Sequence, residues 1–110
     1  MMRESRGARR YNTLVTLTYA EAVTDEFGHQ SYDDPVDVAD VYASVARMSA
    51  TKTMMTFQQA DIIGLEIEMR DPNVAFNGLR YDGHDVHFSA PESLERGRIL
   101  RINGWYQADR

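Results

Sequence analysis

The chain has 110 residues, with 12 Lys or Arg against 17 Asp or Glu, a formal net charge of −5. That length fits one domain with a single core, and no run of about 18 apolar residues is present to cross a membrane. Cysteine is absent, which excludes disulfides and thiolate zinc sites.

The charge is segregated. Residues 1–20 carry four Arg and one Glu, and residues 96–110 carry four Arg and one Asp, whereas residues 21–95 hold four basic and fifteen acidic side chains. Basic ends on an acidic body fit docking on acidic partners. They do not make the overall basic footprint of a DNA-binding domain. The opening MMRESRGARRYNTL has charge but no apolar core, so a signal peptide is not expected.

Residues 1–11 are polar, Arg-rich and aperiodic, and read as a flexible arm. Residues 13–20 alternate, with Val15, Leu17 and Tyr19 on one face and Thr16 and Thr18 on the other, the pattern of a half-buried strand. Residues 21–35 read as a polar connection with a turn at Asp25-Glu26-Phe27-Gly28. A second strand is expected over 36–48. Val36 and Val38 share one parity and Val41, Ala43 and Val45 the other, so the phase slip predicts a β-bulge or bend at Ala39-Asp40.

Residues 49–60 are the helix candidate, capped by Ser49 or Thr51, with Ala50, Met54 and Phe57 along one face. Three threonines make it short. Leu65, Ile67 and Met69 then alternate with Glu66, Glu68 and Arg70 in a strand that Asp71-Pro72-Asn73 ends. Leu79 to Phe88 reads as a hairpin about Asp82-Gly83, a strong two-residue turn signal. After a loop from Pro91 to Glu95, the last strand, about 97–106, turns Leu100 and Ile102 inward and Arg101 and Asn103 outward, with Trp105 near its end. The expected fold is mainly β: a small antiparallel β-barrel or sandwich of five to six strands with one short inserted α-helix, forming a single domain over 1–110.

No catalytic set stands out. His84 and His87 differ by an odd number and face opposite sides of a strand, and His29 sits in a loop. Asp25-Glu26 and Asp33-Asp34 lie in loops, and neither a GxSxG nor a glycine-rich phosphate loop occurs. Neither an enzyme nor a metal or other cofactor is expected. Glu66 and Glu68 share an outward face, where like charges want a neutralising partner. Met48, Met54 and Met55 cluster beside Phe57. They read either as core filling or as an adaptable apolar contact surface.

Taken in order, these segments resemble the head-closure, or stopper, family of head–tail joining proteins of long-tailed phages (siphophages). The residues that carry the resemblance are the Asp25–Gly28 turn, the Val41-Tyr42-Ala43-Ser44-Val45 strand, Gln58-Gln59-Ala60 at the helix end, and the strand ending in Arg70. To these are added the Leu79–Val86 hairpin and the Gly97–Gly104 strand. Their order and spacing span about residues 13–105.

The resemblance implies a subunit that self-associates into a ring on the portal or adaptor proteins, continues the DNA channel, retains packaged DNA and offers a docking surface to tail or neck proteins. DNA passes through such a channel without sequence-specific binding. The implied location is the virion at the head–tail interface, and the host cytoplasm during assembly, with no membrane contact. Candidate ring or partner residues are Met48, Met54, Met55, Phe57, Glu66, Glu68, Arg98 and Arg101. By position, Ser44–Asp61 matches the channel-facing stretch, with Ser49, Thr51, Lys52, Gln58 and Gln59 as candidates. Met54-Met55 stands where related sequences are more polar. The other readings are a monomeric β-barrel adaptor or binding module, and a neighbouring neck or tail-completion protein.

Overall fold

The computed structural model describes residues 11–108. The Arg-rich arm expected at 1–11 lies outside these, except for Tyr11. Nine strands and one helix run in the order β1 Thr13–Tyr19, β2 Ala22–Thr24, β3 Gln30–Tyr32, β4 Val36–Arg47, α1 Ala50–Phe57, β5 Ile62–Arg70, β6 Gly78–Tyr81, β7 His84–Phe88, β8 Glu92–Leu94 and β9 Ile99–Gln107.

Six strands close a barrel. β1 pairs with β4, β4 with β5, β5 with β9, β9 with β7, β7 with β6, and β6 returns to β1, every pairing antiparallel. The short β8 pairs with the first residues of β9. Full closure removes the free edges that an open sheet of this size would leave. β2 and β3 pair only with each other.

Alternation in the strands fills the interior. Val15, Leu17, Ala43, Leu65, Ile67, Met69, Leu79, Val86 and Ile102 form one buried cluster, with Val45, Phe88 and Leu100 packed partly buried against it. The Asp82-Gly83 turn joining β6 to β7 has φ of 50° and 79°. Two positive φ values in a two-residue loop match the twist of the strands that it connects.

The bulge falls slightly earlier than the sequence suggested. Leu17 pairs with Ala39 and Thr18 with Asp37, so Val38, not Ala39-Asp40, is the extra residue. The two valine sets are also not both buried. Val36 and Val38 stay exposed while Ala39 and Val41 pack on the core. β4 at this point is only leaving a projecting hairpin and has not yet joined the barrel wall, so its first residues have no core to meet.

That hairpin corrects the reading of 21–35 as a polar connection. β2 and β3 are ordered strands joined by a built tip. Asp25 Oδ1 accepts from the N–H groups of Phe27 and His29 at 2.9 and 2.8 Å, and Gly28 takes φ 84°. The molecule measures 63 × 33 × 23 Å, with a radius of gyration of 15.6 Å. A compact chain of this length would have about 13 Å.

The helix begins where expected. Ser49 caps it, its hydroxyl accepting from Lys52 N–H at 3.1 Å, and Gln58 ends it in the left-handed conformation. Its inward side differs from the expected face. Thr53 is the buried residue and Phe57 is half-buried, whereas Ala50 and Met54 are exposed. Gly64 on β5 explains the choice: a Cβ there would come within 2.7 Å of Thr53 Oγ1 and 2.9 Å of Met48 Sδ. The helix sits on the barrel where β5 has no side chain.

Candidate interaction surface

The residues singled out in the sequence divide into two groups. Met48 and Glu68 belong to the chain's own packing. Met48 is 7% exposed and lies against Gly64 beneath the helix. Glu68, expected on an outward face, is 5% exposed, and Arg101 across the β5–β9 ladder donates to its Oε2 from Nε and Nη2 at 3.1 and 3.0 Å. A carboxylate this buried needs its charge met by hydrogen-bonded cations. The like-charge problem between the two glutamates is thus answered within the chain, since Lys52 Nζ reaches Glu66 Oε2 at 2.7 Å.

The second group is accessible. Met54 is 47% and Met55 75% exposed, side by side on the outer face of α1. Ser49, Thr51, Lys52, Gln58 and Gln59 are exposed about the helix ends. Arg98 is exposed after β8, its carbonyl accepting from Asp71 N–H at 2.8 Å. The structure therefore brings Met54, Met55, Lys52 and Glu66 together on and beside the helix. Arg98 belongs to the turn that leads into β9.

Two features escaped the sequence reading. The first is the Thr53–Gly64 contact that seats the helix; a polar threonine beside the more apolar Met54 and Met55 gives no signal of burial. The second is the projecting hairpin, whose strands AVT and QSY are three residues each, too short for alternation to register.

His84 stacks on Tyr106 at 4.1 Å and His87 on Trp105 at 4.3 Å, consecutive β9 residues that face opposite sides of the strand. Among the described residues no group of three His, Cys, Asp or Glu is placed to hold a metal ion, and no helix is long and apolar enough to cross a membrane. A broad open groove, rather than an enclosed cavity, lies between Tyr11, Tyr42, Arg70 and Pro72, with the Arg70 guanidinium 5.5 Å from the Tyr11 ring centre.

Comparison with solved structures shows the same fold in the solution structure of protein SF1141 from Shigella flexneri 2a. The two share 13% identity over 92% of this chain and 96% of that one, with a TM-score of 0.59. At that identity the likeness concerns architecture alone. No protein-family model matches the chain, and no curated protein matches it.

Proposed function

We propose that the chain is a structural subunit of a phage head–tail connector, of the head-closure type. It assembles as a ring on the portal, continues the DNA channel, helps to retain packaged DNA and presents a surface for the tail. The observation that carries the reading is the position of Met54 and Met55. The barrel core is complete without them, and the helix is seated through Thr53, yet its outer face offers two adjacent methionines to a neighbour. Methionine repacks against imperfect partners, which suits a contact made late and on more than one surface. The order of turn, strand, helix and hairpin motifs along the sequence supports the same family. The acidic stretch 21–95 suits a wall past which DNA slides.

The test is reconstitution. The purified chain is added to DNA-filled heads that carry the portal but lack the connector, and DNA retention and tail joining are measured, with electron microscopy of the portal vertex. A ring at the vertex with restored joining is expected. A chain that neither binds the portal nor restores joining refutes the reading.

A further inference from the structure

Glu21 to Val38 are eighteen consecutive exposed residues that include the whole β2–β3 hairpin. A two-stranded hairpin alone is marginal in water. This one is nevertheless built with care: Asp33 N–H donates to Glu21 O at 2.9 Å, and the tip is closed on Asp25. It also carries apolar surface. Of the eleven large exposed hydrophobics among the described residues, six lie between Tyr19 and Val38: Tyr19, Val23, Phe27, Tyr32, Val36 and Val38. Phe27 at the tip is 77% exposed and Tyr32 69%.

The charge on this arm has one sign. Residues 20–36 hold Glu21, Asp25, Glu26, Asp33 and Asp34 and no Lys or Arg. Only Asp25 meets a possible cation among the described residues, His29 at 3.3 Å. The complementary segment is in the same sequence: residues 1–10 carry Arg3, Arg6, Arg9 and Arg10 against Glu4. Within one chain it is short for the tip of the arm: ten residues span at most about 35 Å, while the contour from Thr13 along β1 and β2 to Phe27 is about 45 Å.

We propose that the β2–β3 arm of one copy docks on the Arg-rich N-terminal residues of a second copy, an inference that rests on the ring reading above. The contact is head-to-tail, the kind that closes a ring when the rotation between copies allows. The carboxylates meet the guanidinium groups, and Phe27 and Tyr32 receive the apolar stems and planar faces of the arginines.

Charge exchange tests it in the full chain. Asp33→Arg/Asp34→Arg is one variant and Arg9→Glu/Arg10→Glu the other, with circular dichroism confirming that each is folded. Sedimentation velocity reads self-association at about 50 mM salt, where screening is weak. Wild type is expected to self-associate, each variant to do so at least about tenfold more weakly, and the equimolar mixture to recover most of the loss. Wild type that stays monomeric to about 1 mM overturns the inference. So do variants that associate like wild type, and a mixture no better than its parts. Replacing 22–32 by Gly-Asn-Gly separates the two readings. Normal rings on the portal from that chain overturn the arm contact and leave the connector role standing. Failure of the wild-type chain on the portal overturns the connector role, whereas recovery in the mixture still supports the arm contact.

Discussion

The side chain of Asn77 holds the backbone of Ala20 from both sides: its Oδ1 accepts from Ala20 N–H at 2.9 Å and its Nδ2 donates to the Ala20 carbonyl at 2.8 Å. The Asn77 backbone N–H adds a third bond, to Thr18 O at 3.0 Å. The carboxamide thus continues the β1–β6 ladder past its last pair, Thr18 with Gly78. It fixes the root of the arm where β1 leaves the barrel.

Asn77→Ala is therefore expected to cost about 1–2 kcal/mol, the worth of two modest hydrogen bonds. Its mark should be local. Hydrogen exchange should quicken for backbone amides of residues 20–34, with the amides of β5 and β9 unchanged. Equal protection of the arm in both proteins would show that its root is held by something else.

Ile67 is wholly buried at the centre of β5, paired on both sides with Val45 and Ile102. Ile67→Ala should cost about 2–5 kcal/mol in denaturant unfolding. A loss below about 1 kcal/mol would mean that the β5 wall is peripheral to stability.

Gly64→Val places a branched side chain where Thr53 and Met48 now sit. Overpacking of this kind costs about 1–3 kcal/mol. The helix should detach before the barrel opens. Carbon and amide chemical shifts of 50–57 should move towards coil values while those of β1 and β6 hold. A helix that keeps its shifts would disprove the seating role of Gly64.

Met54→Asp and Thr53→Asp are neighbours with opposite expected outcomes. Met54→Asp should leave the fold within about 1 kcal/mol of wild type, because the position is half open, and, under the proposed connector role, should block incorporation by charging an apolar surface. Thr53→Asp buries an unpaired carboxylate, 4% exposed in the wild-type position, and displaces the helix in the isolated chain. Circular dichroism with a head–tail joining assay separates the two. Normal joining by Met54→Asp would remove the helix from the interface.

The isolated chain should bind duplex DNA no tighter than about 10 µM at about 150 mM salt, since cations supply such affinity and the body is acidic. Fluorescence anisotropy over a salt series measures this. Submicromolar binding lost on neutralising Arg3, Arg6, Arg9 and Arg10 would favour a DNA-binding module.

The barrel was legible in the sequence wherever a strand was long enough to alternate. Leu65, Ile67 and Met69, the Asp82-Gly83 turn and Ile102 all lie where the pattern put them, because period-two burial and turn chemistry are local signals. The helix face was misjudged because a missing side chain, at Gly64, chose it from across the fold. Glu68 looked solvated because a single sequence does not reveal that Arg101, 33 positions on, lies opposite. Val36 and Val38 are apolar yet exposed, because the strand at that point belongs to the arm and not to the barrel wall.

The placement of β9 has a kinetic consequence. This strand pairs with β5, β7 and β8, and Ile102 finds Ile67 only across 35 intervening steps of chain. During synthesis the other five barrel strands emerge first, and β5 and β7 each wait with one edge open. Closure is then a late, non-local event of high contact order, which places refolding in the millisecond-to-second range. Until β9 arrives, β5 and β7 are the exposed edges that a chaperone, or another nascent copy, would meet first.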